Sequence, residues 1–185
     1  MPIYATRNEG SKFEQTPEGL WPGVCCDVVD LGMQPTQWGE KHKVQFRWLL
    51  DARPKRADQK PYMITKRYTL SLHEKSNLYQ MLSVWLGKAT VAGPRFDLES
   101  LVGRQCQIQV AQETGNDGET YSFPQVIMKP ATKRIVPVPD DYVRVQDRPG
   151  YEPPELPAIE GDRPEVPPTT DEDVNYQPSD DDVPF

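Results

Sequence analysis

The residues of this 185-residue chain best able to do chemistry are cations and flat rings gathered near its middle. Lys41, Lys43, Arg47, Arg53, Lys55, Arg56, Lys60, Lys66 and Arg67 all fall between positions 41 and 67. Cations in such a run track a polyanion such as a phosphate backbone, and rings beside them give faces on which bases stack, each stack worth on the order of 1–3 kcal/mol. Four rings are candidates. Trp38 stands in a polar loop beside Gly39, Tyr62 borders the basic run, and Tyr121 and Phe123 share a parity on a later segment. Core packing competes with stacking for all four, because an aromatic ring serves either purpose.

A second chemistry sits at the end, Asp180-Asp181-Asp182-Val183-Pro184-Phe185. A phenyl ring beside a carboxylate can enter an apolar pocket rimmed by Arg or Lys. The proline pre-sets an extended backbone, and the Asp run steers the tip toward a basic surface. That is chemistry for capture by another protein.

Catalytic and metal chemistry find less support. The three cysteines (Cys25, Cys26, Cys106) and two histidines (His42, His73) have no zinc-ligand spacing, and free buried thiols are the expectation. The acids of the body are scattered, and the Asp run lies on a proline-rich tail that cannot preorganise a site. No enzyme activity, metal or cofactor is therefore expected.

The elements that must position these residues read as strands with one helix. Val24–Leu31 is rich in β-branched residues and forms a first strand that Gly32 closes, with a polar loop from Met33 to Glu40. In the second strand Val44, Phe46, Trp48 and Leu50 alternate with Lys43, Gln45, Arg47 and Leu49, which assigns Phe46 and Trp48 to the core. Residues 51–60 are a mobile basic loop. A third strand runs from Tyr62 to Leu70, with a bulge or bend where Lys66 interrupts its apolar side. Ser71 and Glu74 have capping-box spacing, so a helix is expected from there, carrying Leu78, Leu82 and Trp85 as a core stripe that Gly87 ends. Asp97 caps a short turn before Gly103. Cys106, Ile108 and Val110 alternate along a fourth strand, and Gly115–Gly118 has hairpin-turn residues. Thr120 to Met128 is a fifth strand that Pro124 pushes to an edge or a bulge.

Charge divides the chain. From 138 to 185 there are 14 Asp/Glu and 3 Arg, a net of −11, together with half of the 20 prolines; residues 1–137 hold 14 acids and 18 Lys/Arg, a net of +4. A segment so poor in large apolar residues cannot offset its ordering entropy. The expected organisation is a flexible arm over 1–20, a folded domain over 21–137, and a disordered acidic tail over 138–185. There is no signal-peptide run and no apolar stretch of membrane-spanning length, so a cytoplasmic protein is expected.

Three strands, a helix and two strands is the element order of the OB-fold, a five-stranded partly open barrel with a helix between strands three and four, whose second and third strands form the usual oligonucleotide platform. Two resemblances bear on function. Pro17-Glu18-Gly19, Asp30-Leu31-Gly32, the run from Ile64 to Leu78, Phe96-Asp97-Leu98 and Leu101-Val102-Gly103 together are similar to a family of phage and prophage OB-fold proteins regarded as single-strand-binding, over about residues 13–130. Separately, the tip resembles the acidic C-terminal tip of bacterial single-stranded-DNA-binding proteins, which recruits replication and repair enzymes. The resemblances imply a sequence-independent single-stranded-DNA-binding protein of DNA replication, recombination or repair, acting in the host cytoplasm if phage-encoded. Its interface would comprise Trp38, Lys41, Lys43, Arg47, Arg53, Lys55, Arg56, Lys60, Tyr62, Lys66, Arg67, Tyr121 and Phe123, and its tip would engage partner enzymes through Asp180–Phe185. The competing reading is an acidic interaction or inhibitor protein that binds no DNA itself.

Overall fold

A computed structural model describes residues 14–37, 39–115, 118–131 and 133–154. Its centre is one five-stranded antiparallel sheet in the order β3-β2-β1-β4-β5, with β1 at Gly19–Thr36, β2 at Gly39–Leu50, β3 at Tyr62–Thr69, β4 at Gln105–Thr114 and β5 at Thr120–Met128. A helix, α1 (Asn77–Leu86), lies between β3 and β4 in sequence and touches β3 and β5.

The expected alternation in β2 is realised. Phe46 and Trp48 are fully buried and stack with centroids 5.5 Å apart, and Tyr68 meets Phe46 edge-on at 5.7 Å. Leu78, Leu82 and Trp85 point from α1 into the same core, and the Trp85 indole N–H donates to the Gln105 carbonyl at 3.1 Å, tying helix to β4. Cys25, Cys26 and Cys106 are free and buried, and burial pushes all three thiols up.

β1 is longer than its apolar run suggests. It begins at Gly19, passes through Pro22, and continues beyond Gly32 as a hairpin arm with β2, with register shifts after Cys25 and after Asp30. Gly23 allows the close passage, because a Cβ there would lie 2.6 Å from a Leu50 methyl. The residues expected as a loop from Met33 to Glu40 are mostly strand, because β1 and β2 go on pairing from Met33 opposite His42 to Thr36 opposite Gly39.

The helix starts later than the capping-box spacing implies. Ser76 is the N-cap and accepts from the Tyr79 N–H at 3.1 Å, whereas the Ser71 hydroxyl accepts from the His73 N–H at 3.2 Å. Residues 71–76 are thus a loop pinned by its own hydrogen bonds, among them Ser76 Oγ to the Ser71 carbonyl at 2.7 Å. The Asp97 carboxylate accepts from the Glu99 N–H at 3.0 Å just before the short turn Glu99–Leu101, whose N-cap position is Leu98.

No ladder joins the two edge strands, β3 and β5. The seam is bridged by side chains and by the segment preceding β1. Lys66 donates to the Pro124 carbonyl at 3.0 Å. The Glu14 carboxylate accepts from the Tyr62 hydroxyl at 3.0 Å, and the Thr16 carbonyl accepts from the Ser122 hydroxyl at 2.7 Å and from the Gln112 amide at 2.9 Å. Lys66 stands in unbroken register opposite Phe46, so there is no bulge there; the lysine points inward because the seam offers it a carbonyl. On β5 the register does shift beside Pro124.

The folded part also extends past 137, where composition marks the start of the tail. Val136, Val138 and Tyr142 pack on Val24, Cys26 and Leu49, on the outward side of β1 and β2. Gln105 clasps Val136 through both backbone groups, at 2.8 and 3.1 Å. Asp27, fully buried, accepts from Val145 N–H at 2.8 Å, Arg144 Nε at 3.1 Å and the Tyr142 hydroxyl at 3.4 Å, and Arg144 continues to Glu99. Residues 134–148 form a strap whose few apolar side chains are spaced to cover the sheet. Composition averages over 138–185 and misses that spacing.

Candidate nucleic-acid interface

The proposed interface residues separate into three places. The first is the β2–β3 loop. Arg53, Lys55 and Lys60 are exposed there, but Asp51 holds Lys55 at 2.6 Å and also pairs with Arg134. The hydrogen bond from Lys55 and the neighbouring cations hold the Asp51 carboxyl below its ordinary range. Arg56 pairs with Asp58 at 3.1 Å and lies over the Tyr62 ring, 5.9 Å from its centroid. The backbone N–H of Lys60, then Arg56, lower the Asp58 carboxyl. Tyr62 itself is only 3% exposed, and its hydroxyl is taken by Glu14. Burial, then Glu14, raises its phenol. The expectation that Tyr62 stacks on bases is corrected: alternation puts it on the inward parity of β3.

The second place is the outward side of β1 and β2. Arg47 stands opposite Asp27 and near Cys26 and Tyr142, beneath the strap. Its Nε is shielded from solvent without a hydrogen-bond partner, and its NH2 reaches Gln45 at 3.4 Å. Arg47 is thus half-buried, with its Nε out of reach of a phosphate and the rest of its side chain partly open. Lys41 is exposed on the hairpin arm, and Trp38 lies outside the described residues.

The third place is the seam. Lys43, Arg67 and Lys66 converge with Lys75 around a groove of about 900 Å³ between β3, the 71–76 loop, α1 and β5. Among the described residues no Asp or Glu lines it. Arg67 and Lys75 are exposed and Lys43 is half-buried. Lys66 is a strut more than a contact: its ammonium is spent on the Pro124 carbonyl, 5.7 Å from the Tyr68 ring, and burial lowers its pKa. Met81, Val84 and Val126 give the groove an apolar side. Tyr121 and Phe123 are 49% and 37% exposed on the same strand as Val126.

Lys75 and His73 were not among the expected site residues. Read as part of a core helix starting at Ser71, they had no reason to face a ligand. The one available signal was Ser76-Asn77, a better cap immediately before the apolar stripe.

Among the described residues, no helix is long and apolar enough to cross a membrane, and no group of three or more His, Cys, Asp or Glu could hold a metal ion. The chain matches no family model and no curated protein. The tip residues Asp180–Phe185 lie outside the described residues.

Proposed function

We propose that this chain binds single-stranded nucleic acid, DNA in the first instance, without sequence preference. In this reading the body is an OB barrel, and the acidic tip recruits enzymes of replication, recombination or repair. The barrel reading is supported by the strand order, by the helix between β3 and β4, and by a seam that side chains bridge in place of a ladder. The binding reading rests on one observation above all: on a protein of net charge −7, Lys43, Arg67 and Lys75 share a groove that no carboxylate among the described residues lines. Excess cations in one concave place suit a backbone carrying one charge per nucleotide, and the exposed Tyr121 and Phe123 suit bases that have no partner strand.

The test is a fluorescence-anisotropy titration of the full chain against a poly-thymidine oligonucleotide at two salt concentrations. Saturable binding that weakens with salt is the expected result. Absence of binding at low salt overturns the reading and leaves an acidic interaction protein in its place. Removing Phe185 is expected to leave oligonucleotide affinity unchanged while capture of replication or repair enzymes fails.

A further inference from the structure

We infer that the strand follows the seam: its phosphates enter the groove between β3, the 71–76 loop and β5, its bases continue over the outward side of β5, and the part of the outward side of β1 and β2 that lies under the strap takes no part. This inference rests on the single-strand-binding reading and specifies its route.

Three observations carry it. The first is charge. Arg67 and Lys75 present exposed side chains to the groove, and Lys43 reaches it from the end of the β2–β3 ladder, opposite Thr69. The backbone of Lys75 is held there, because its own N–H is donated to His73 Nδ1 at 3.2 Å and Ser76 N–H to the His73 carbonyl at 2.8 Å. A cation on a pinned backbone has less conformational freedom to lose on binding than one on a loose loop.

The second observation is continuity. Val126 lines the groove and belongs to β5, where Phe123 and Tyr121 are also exposed. A chain leaving the cations therefore meets apolar and aromatic surface along one strand. The two ingredients of sequence-tolerant binding, phosphate charge and base stacking, lie in succession.

The third is exclusion. At Val24, Cys26 and Leu49 the outward side of β1 and β2 is covered by the strap, which leaves these residues at most 3% exposed. The strap carries Asp140 and Asp141 on its exposed side, which repel phosphate. Displacing it would strip Asp27 of three donors, the Arg144 guanidinium among them.

The experiment uses the full chain, fluorescein-labelled oligo-thymidine and low salt. Arg67→Glu with Lys75→Glu is expected to weaken binding about tenfold or more and to flatten the salt dependence by a slope of about 1–2. Arg53→Glu with Lys60→Glu makes the same change in net charge on the β2–β3 loop and is expected to weaken binding at most about threefold, through long-range charge alone. Asp140→Asn with Asp141→Asn is expected to leave affinity within about twofold. An unchanged unfolding midpoint certifies each variant, and Arg67→Gln with Lys75→Gln must preserve the ranking if charge reversal disturbs the fold. The inference is overturned if the loop pair loses more than the groove pair, or if the Asp140/Asp141 variant gains affinity severalfold. Failure of the wild-type chain to bind any oligonucleotide overturns both this route and the binding reading beneath it.

Discussion

Two parts of one sheet carry similar residues and end in opposite states. At the seam, Lys43, Arg67 and Lys75 surround an open groove; on the outward side of β1 and β2, Arg47 stands beside Asp27 under a strap. The difference is made by what covers each place. A carboxylate in the sheet recruits donors from a distant segment and closes its surroundings, whereas the seam groove, lined by no carboxylate among the described residues, leaves Arg67 and Lys75 exposed. The distribution of a few acids therefore decides which cations remain open.

The largest effect expected from breaking this contrast is on stability. Asp27→Ala removes the hub of the strap and leaves Arg144 and two further donors without their acceptor, a loss of about 3 kcal/mol by analogy with other broken buried pairs. Urea unfolding measures it. Oligonucleotide affinity well below the unfolding midpoint is expected to stay the same, which separates strap from groove.

Next in size is Arg67→Glu with Lys75→Glu, where tenfold weaker binding corresponds to about 1.4 kcal/mol. Phe123→Ala follows. Loss of one base stack on a ring already 37% exposed is expected to cost about 1 kcal/mol of binding, with little change in the salt slope because no charge is removed. A fall in slope equal to that of the groove pair contradicts the division of labour between cations and rings.

The smallest effect concerns pH. The Asp51 carboxyl is lowered chiefly by its hydrogen bond from Lys55. A depressed folded-state pKa contributes stability that is present above the ordinary value of 3.8 and is lost as pH falls through the folded value. Because Lys55 and Arg134 are partly exposed, solvent screening holds this to a few tenths of a kcal/mol. Asp51→Asn is expected to reduce the acid sensitivity of the unfolding midpoint below that pH. A variant as acid-sensitive as the wild type removes Asp51 from the account.

Much of the fold was legible because strong periodicity survives without knowledge of partners. The alternation of Val44, Phe46, Trp48 and Leu50 and the helical stripe of Leu78, Leu82 and Trp85 each indicate a buried face, and each is buried. What stayed hidden depended on long-range partners. Lys66 looks like a defect in an apolar strand until Pro124 is seen across the seam. Tyr62 looks like a ring beside a basic loop until its inward parity and Glu14 are seen. The strap looks like the start of a solvated tail because its apolar residues are sparse, yet Val136, Val138 and Tyr142 suffice to seat it once Asp27 supplies a hub. Of the cations between Lys41 and Arg67, the sequence shows the concentration; only the fold separates those paired with Asp51 and Asp58 from those that line the seam groove.

The most direct test of the central claim is amide hydrogen exchange of the full chain with and without a saturating poly-thymidine oligonucleotide. The account predicts slowed exchange across residues 67–80 and 121–127, with exchange in 134–148 and in 24–29 unchanged. Protection or release of 134–148 with none at 67–80 contradicts it and moves the strand onto the covered side of the sheet.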